Sequence, residues 1–319
     1  MRPDNIMLAI HEVMAEINAS SKPANEVLNA YTRARRYIGS SDRRAITSAV
    51  WANLRARPWP KWLEDVFPAD EKEAIKTEAQ TILRANGDRA EICAALAEEG
   101  MEAEPTKLSP IGLVLTKRGP LGKFQTFHAG KIEVQDEGSQ LAALATGIKA
   151  GESVLDYCAG AGGKSLCFAQ MMNNEGHIVA HDISALSLAE LRSRAERAGV
   201  KMIETTFKPQ GEFDHVVVDA PCSGSGTWRR CPDAPLRLTE EMWKNVQKKQ
   251  ASILDEACTF VKKGGLLHYM TCSLLESENQ GQMNAFCKRH PDFKLIHHEQ
   301  WTPAKHGTDG FFLATFKRV

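Results

Sequence analysis

The sequence of 319 residues lacks the features that mark a membrane or exported protein. It has no uninterrupted run of about 18 apolar residues, so no membrane span is expected. The opening stretch MRPDNIMLAIHEVMAEIN is interrupted by His, Glu and Asn, which is typical of an amphipathic helix and not of a signal peptide. We therefore expect a cytoplasmic protein with no membrane partner, and we treat it as a monomer.

Metal-binding cysteine pairs and an excess of charge of one sign are also missing. None of the eight cysteines belongs to a C-x-x-C pair, so no metal site is predicted, and reduced thiols are expected. Lys plus Arg and Asp plus Glu both number 40. This balance excludes neither a nucleic-acid partner nor a small-molecule substrate, since a local basic surface can exist on a neutral protein.

Two common nucleotide-binding signatures are absent from the glycine-rich stretch DYCAGAGGKS. A phosphate loop of the G-x-x-x-x-G-K-[ST] type would need glycine where Cys158 stands, and G-x-G-x-x-G fails at Ser165. A P-loop protein and a dinucleotide enzyme are therefore disfavoured. Gly160, Gly162 and Gly163 nevertheless precede a predicted helix, where backbone N–H groups can approach a ligand closely.

The pattern of apolar residues predicts three regions. Residues 1–79 are expected to be helical, and residues 80–138 to form a small α+β module with strands at TILRAN, IGLVLTK and KIEVQ. In residues 139–319, strands and helices alternate, which predicts an α/β domain with a mostly parallel sheet and helices on both faces. A long helix is expected over about 239–262.

Basic side chains are concentrated in the first two regions. They are either a solvated surface or a phosphate-contacting surface for RNA, and the sequence leaves both open. The helical region holds Arg33, Arg35, Arg36, Arg43, Arg44, Arg55, Arg57 and Lys61. The α+β module holds Lys107, Lys117, Arg118, Lys123 and Lys131.

Acidic and thiol side chains stand where the predicted parallel strands end. These residues are Asp156, Asp182, Asp219 and Cys272. Since ligands of such sheets bind at the carboxyl ends of the strands, we expect all four along one rim. Asp182 can accept hydrogen bonds from a ribose, or it can cap the next helix beside Ser184.

Cys222 and Cys272 each follow a strand tip and precede a serine, in DAPCSGSG and MTCSLLESEN. A buried cysteine is often no more than a small apolar side chain. For these two we favour chemistry, because a helix N-terminus can lower a thiol pKa and the Asp-Ala-Pro stretch holds a carboxylate beside one of them.

Five motifs in this order resemble the Sun-type RNA (cytosine-5) methyltransferases, and within them the bacterial type that acts on 16S ribosomal RNA. They are VQDEGSQ, CAGAGGK, DAPCSGSGTWRR, MTCSLLESEN and GTDGFFLA. The resemblance covers about 134–319 closely. More loosely, it extends to the module 80–138, which is RRM-like, and to residues 1–79, which are similar to part of a NusB-like RNA-binding domain. It implies a Rossmann-like methyltransferase domain with a seven-stranded sheet.

The resemblance also implies a reaction and a set of site residues. S-adenosyl-L-methionine would methylate C5 of a cytosine in single-stranded or loop RNA. The catalytic residues implied are Cys272, which attacks C6, Cys222, which aids release, Asp219 and Lys164. The cofactor contacts implied are Cys158, Ala159, Gly160, Ala161, Gly162, Gly163, Lys164, Asp182 and Asp219.

Two alternatives stay open. DNA cytosine methyltransferases attack from a Pro-Cys motif, and on that pattern Cys222 would be the nucleophile. The chain could also be an RNA-binding or assembly protein that keeps the fold without the activity. Glu204 stands near the place where the family often has an Asp after the third strand, and the family's C-A-A-P-G-G-K loop here has Gly160 and Ala161 in place of Ala and Pro.

Overall fold

A computed structural model describes residues 1–117 and 119–319 of the chain. Arg118, one of the basic residues predicted for the α+β module, lies outside the described residues. The helices are α1 (Pro3–Ala19), α2 (Ala24–Ala34), α3 (Ser40–Arg55), α4 (Lys61–Val66), α5 (Glu71–Ala74), α6 (Arg89–Glu98), α7 (Gln125–His128), α8 (Glu137–Leu144), α9 (Gly163–Met171), α10 (Ala185–Arg197), α11 (Ala234–Arg237), α12 (Glu240–Ala257), α13 (Gln280–Arg289) and α14 (Pro303–His306).

The strands form two separate sheets. They are β1 (Ile82–Ala85), β2 (Ala103–Pro105), β3 (Gly112–Leu115), β4 (Ile132–Val134), β5 (Ser153–Asp156), β6 (His177–His181), β7 (Ile203–Thr206), β8 (Phe213–Asp219), β9 (Val261–Thr271), β10 (Phe293–Trp301) and β11 (Phe311–Arg318). The first four make an antiparallel sheet of order β2-β3-β1-β4, and the other seven make a sheet of order β10-β11-β9-β8-β5-β6-β7.

The larger sheet confirms the α/β fold predicted from the alternation of strands and helices. Strands β5 to β9 pair in parallel, while β11 pairs antiparallel with β9 and with β10. Its central strands are apolar because helices cover both faces, and two clusters of buried side chains fill these layers. The parallel strands therefore end at a common edge.

The helix predicted over about 239–262 is wrong at its end. Helix α12 stops at Ala257, a short 3-10 turn follows, and β9 begins at Val261. Val261 is fully buried and pairs with Phe213 of the neighbouring strand, so sheet packing overrides the helical pattern there.

The N-terminal helices have a core of their own and also pack on the larger sheet's domain. Val13, Ile46 and Val50 belong to the helical core. The backbone amide of Ala24 donates to the Asp233 carboxylate over 2.9 Å. None of the helices in the described residues is both long and apolar enough to cross a membrane.

Candidate active site

A cavity of about 400 Å³ opens at the carboxyl ends of β5, β8 and β9. It lies at the edge where ligands of parallel sheets bind. Its walls are Val134, Gln135, Asp136, Ser139, Asp156, Cys158, Ala159, Gly160, Ala161, Gly163, Lys164, Arg194, Asp219, Thr227, Cys272, Asp309 and Phe311. Eight of the residues that the sequence assigned to the site are among them, while Gly162, Asp182 and Cys222 are not.

The loop between β5 and α9, residues 157–162, owes its path to two left-handed glycines. Gly160 has φ +53° and Gly162 has φ +82°, which only glycine adopts without strain. A Cβ on Gly162 would also stand 2.5 Å from Leu191 Cγ, whereas a Cβ on Gly160 or Gly163 would meet no protein atom within 4 Å. The loop is therefore closed on its helix side and open on the ligand side.

Two arginines from other elements hold the carbonyl groups of this loop region. Arg84 of β1 is fully buried and donates to the Gly163 carbonyl over 2.9 Å and to Gln135 Oε1 over 2.8 Å. Arg194 of α10 donates to the Ala161 carbonyl over 2.7 Å and pairs with Glu133 of β4. The smaller sheet thus fixes the loop's shape.

Asp182 lies at the tip of β6, as predicted, but it does not line the cavity. One carboxylate oxygen accepts from the Gly160 amide over 2.9 Å and the other from the Ser184 amide over 2.8 Å. Ser184, and not Asp182, is the N-cap of α10. Two apolar side chains near these strand ends face solvent: Ile183 is 88% exposed and Phe207 is 56% exposed.

Lys164 and Asp219 form an ion pair in the cavity wall. Lys164 Nζ donates to Asp219 Oδ2 over 2.6 Å and lies 4.9 Å from the centre of the Phe311 ring. Burial alone would lower the pKa of Lys164, but the Asp219 carboxylate outweighs burial and raises that pKa. Burial also raises the pKa of Asp156 to about 7, against the hydrogen bond that Ser165 donates to it. Because its pKa is raised by Asp219, Lys164 stays charged.

The two cysteines meet at the tips of β8 and β9, with 3.4 Å between Cys222 Sγ and Cys272 Sγ. Only Cys272 belongs to the cavity wall. The expectation that a helix N-terminus lowers the pKa of Cys222 is wrong. The hydrogen bond to Cys272 and burial raise it well above the ordinary value, and only a short 3-10 turn follows at 225–227. Cys222 is therefore a thiol.

Serine hydroxyls join the loops that carry the cysteines. Ser273 Oγ lies 3.0 Å from Ser225 Oγ and 3.3 Å from Ser223 Oγ. The buried Glu278 carboxylate accepts from the Ser223 amide over 3.0 Å, and the Gly226 amide donates to the Cys272 carbonyl over 2.9 Å. This network holds the two loops that carry the cysteines against each other.

A second wall brings together the VQDEGSQ, SGTWRR and GTDGFFLA motifs. Asp309 pairs with both Arg229 and Arg230, and Arg230 also pairs with Asp136. Gly310 donates its amide to the Gly226 carbonyl over 2.9 Å. A Cβ on Gly226 would lie 2.3 Å from the Gly310 oxygen, so these two backbones touch.

Sequence reasoning missed the side chains that support the site from a distance. Arg84, Arg194 and Phe311 were not singled out, and the exposure of Ile183 and Phe207 was not foreseen. A clustered motif such as CAGAGGK is visible in a sequence, but an isolated arginine in a short strand gives no such signal. Within residues 1–117 and 119–319, no three His, Cys, Asp or Glu side chains are placed to share a metal ion.

Comparison with known families identifies the larger sheet's domain. The family model described as 16S rRNA methyltransferase RsmB/F matches residues 143–317, more than half of the chain. The probable ribosomal RNA small subunit methyltransferase B of Bacillus subtilis is 34% identical over 258 residues, covering 72% of this chain and 57% of that protein. The ribosomal RNA small subunit methyltransferase B of Photorhabdus laumondii is 30% identical over 280 residues, covering 80% and 65%. The chain thus spans less than two thirds of these relatives.

Solved structures agree with the fold. The crystal structure of PH0851 is 26% identical with a TM-score of 0.78, and the match covers 92% of this chain and 76% of that one. A methyltransferase homolog protein from Pyrococcus horikoshii is 25% identical with a TM-score of 0.72, covering 84% and 99%. The seven-stranded sheet and its helices have the Rossmann-like methyltransferase fold.

Proposed function

This chain belongs to the 16S rRNA methyltransferase RsmB/F family, and we propose that it methylates C5 of a cytosine in RNA, with small-subunit ribosomal RNA as substrate. The observation that carries the proposal is one cavity whose wall combines Cys272, the Lys164–Asp219 pair and the glycine loop, with the Cys222 sulfur in contact with Cys272.

S-adenosyl-L-methionine supplies an electrophilic methyl group when bound. Residues 158–164 fit it, because the space beside Gly160 and Gly163 is open and the start of α9 offers backbone N–H groups. Asp182 keeps unused lone pairs on both carboxylate oxygens and can accept from ribose hydroxyls. Ile183 and Phe207 offer apolar surface for the purine, in place of the Asp that many family members have after the third strand.

Cys272 is the nucleophile in this proposal. Cytosine C5 is a weak nucleophile, and adding a thiolate to C6 turns the C5=C6 double bond into an electron-rich enamine carbon at C5. The new S–C6 bond forms as C5 takes the methyl group. Cys272 lines the cavity that a flipped base would enter, whereas Cys222 contacts the Cys272 sulfur without lining that cavity.

The Lys164–Asp219 pair stabilises the base as it reacts. Addition at C6 pushes negative charge toward N3 and O2 of the ring, and a fixed cation with a shared proton lowers the energy of that charge. As the thiolate adds at C6, the Lys164 ammonium group passes a proton to the Asp219 carboxylate over 2.6 Å, and Asp219 passes a proton on to N3 of the ring, which leaves Lys164 neutral.

Cys222 assists the last step, in which the methylated base is released from Cys272. After methyl transfer the C5 proton passes to water in the open cavity, its bonding electrons restore the C5=C6 double bond, and the S–C6 bond breaks with Cys272 departing as a thiolate. The Cys222 thiol, 3.4 Å away, donates a hydrogen bond to that sulfur and makes it a better leaving group. Without Cys222 the covalent protein–RNA adduct is expected to persist.

The test uses Cys222→Ala, Cys272→Ala, the double variant and Cys231→Ala, an exposed cysteine elsewhere on the surface, as the matched control. Each protein is incubated with transcribed 16S ribosomal RNA and S-adenosyl-L-methionine and run on a denaturing gel. Mass spectrometry of the digested RNA measures 5-methylcytidine.

We expect a nuclease-sensitive slow band with Cys222→Ala alone, and 5-methylcytidine with the wild-type protein and Cys231→Ala. A slow band with Cys272→Ala alone would exchange the two cysteine roles. Absence of both the band and 5-methylcytidine, with RNA binding retained, would contradict the methyltransferase proposal and favour an RNA-binding protein of the same fold.

A further inference from the structure

The contact between the sulfurs of Cys222 and Cys272 also suits a different reaction, the oxidation of the two thiols to a disulfide. Eight cysteines are free in the structure, and within its described residues Cys222 and Cys272 are the one pair with sulfurs in hydrogen-bond contact. A disulfide bond requires about 2.05 Å between sulfur atoms. Closing the pair therefore needs a movement of only about 1.4 Å, which side-chain rotation can supply.

The backbone geometry also suits a bond between these residues. The cysteines follow adjacent parallel strands, in which Asp219 is in register with Met270. Neighbouring strands lie about 4.8 Å apart, and disulfide-linked Cα atoms are typically about 4.4–6.8 Å apart. Hydrogen bonds between serine side chains keep the two loops close together, so the two cysteines stay near each other in the folded protein.

We propose that Cys222 and Cys272 form an oxidative modification site, at which a peroxide converts the two thiols into a reversible intramolecular disulfide. Cys272 reacts first because it borders the cavity through which a small oxidant enters. Cys222 resolves the product because its sulfur is the thiol in contact with Cys272.

The reaction balances with hydrogen peroxide as oxidant. The Cys272 thiolate attacks one peroxide oxygen, an S–O bond forms, the O–O bond breaks, and hydroxide leaves. Cys222 sulfur then attacks Cys272 sulfur, the S–S bond forms, the S–O bond breaks, and water leaves with the Cys222 proton. Both sulfurs are oxidised and both peroxide oxygens end as water, because the hydroxide takes up the proton that Cys272 lost on forming its thiolate.

The disulfide removes both cysteines from the cavity chemistry at once. Its formation depends only on the thiol geometry, whereas its effect on methyl transfer rests on the proposed function. A dithiol reductant restores both thiols. The pair would also be spared irreversible overoxidation, because a neighbouring thiol captures the sulfenic acid before a second peroxide arrives.

Peptide mapping of the full-length protein tests the proposal. The reduced protein is treated with hydrogen peroxide, its free thiols are blocked with N-ethylmaleimide, and it is digested with trypsin without reduction. The expected product joins residues 202–229 to residues 264–288. The second peptide also contains Cys287, so Cys272→Ser is the control that must abolish the cross-link, and Cys231→Ser is the control that must retain it.

The expected result is a cross-linked peptide in most molecules, with two fewer reactive thiols, reversed by dithiothreitol. Separate peptides with Cys272 as sulfinic acid, or a cross-link that survives in Cys272→Ser, would overturn the proposal. Methyl transfer is measured in parallel and should fall at least 100-fold on oxidation. A cross-link in a protein that is inactive when reduced would leave the modification site standing and refute the proposed function.

Discussion

Gly162 determines the shape of the ligand loop through two separate constraints. Its φ of +82° is unfavourable for any residue with a Cβ, and the added atom would overlap Leu191. We predict that Gly162→Ala destabilises the protein by about 2 kcal/mol or more, the sum of left-handed strain and overpacking. Gly163→Ala is the matched control, since that position has ordinary helical backbone and open space, and it should stay within about 0.5 kcal/mol of wild type. Urea unfolding measures both, and equal losses would contradict this account.

Strands β8, β9 and β11 bury a chain of polar side chains between them. His215 Nδ1 lies 2.9 Å from His268 Nε2, His215 Nε2 lies 3.0 Å from Glu152, and His268 Nδ1 lies 3.0 Å from Thr315 Oγ1. Burial lowers the pKa of both histidines, and the lowering is large for His268. Both rings are therefore neutral in the folded protein near pH 7.

Acidification should destabilise this part of the sheet. A depressed folded pKa gives stability that is complete above the unfolded value of about 6.5 and is lost as pH falls below it, because the unfolded chain then binds more protons. Between pH 7.5 and 5.5 we expect acidification to lower the unfolding free energy by about 1 kcal/mol through His268, whose pKa is lowered more than that of His215. Urea unfolding at both pH values should show a smaller loss in His268→Gln than in wild type. His177→Gln, at an exposed site, should keep the wild-type loss. The prediction is wrong if His268→Gln loses as much unfolding free energy between pH 7.5 and 5.5 as the wild-type protein.

The molecule as a whole has a formal net charge of zero, but its basic and acidic residues are unevenly distributed along the chain. Residues 22–61 contain nine Lys or Arg and only two Asp or Glu. Arg33, Arg36 and Arg44 are exposed there. If these arginines contact phosphates, RNA binding releases about 0.7 counterions per contact from a single strand.

We therefore predict that RNA affinity falls with salt, and that replacing Arg33, Arg36 and Arg44 by Gln makes the slope of log K against log salt shallower by about 2. The control removes the same charge elsewhere, with Gln at the exposed Lys288, Lys294 and Lys317. Filter binding of a single-stranded RNA from 50 to 300 mM salt (about the range in which such contacts are screened) gives both slopes. Equal slopes in the two triple variants would assign these arginines to a solvated surface.

The larger sheet could be read from the sequence because its signals are local. Each strand is a short apolar run, and the residues at its carboxyl end follow directly, so the sequence alone assigns Asp156, Asp219 and Cys272 to one rim. The sheet order and the shared cavity confirm that arrangement. The roles given to these residues stay predictions.

The remaining features depend on contacts between distant residues. Arg84 reaches the Gly163 carbonyl from a different sheet, and only the folded chain shows that this arginine is buried. The end of α12 was misplaced because the pairing of Val261 with Phe213 is not local either. The raised pKa of Cys222 arises from a second cysteine fifty residues away, which no consideration of its own loop could supply.

The contact between the backbones of Gly226 and Gly310 has a consequence for synthesis of the chain, because Gly310 is translated after Gly226 and both cysteines. The ribosome completes the loop that carries Cys222 before it adds Gly310. The Gly310 amide donates to Gly226 of that loop, and Gly310 directly precedes β11, which lies between β9 and β10. A growing chain thus holds both cysteines long before it holds the wall that positions them. We therefore expect the thiol pair to reach its final geometry late in synthesis, because a nascent chain that still lacks β11 contains both cysteines but not the strand that pairs with β9 beside Cys272.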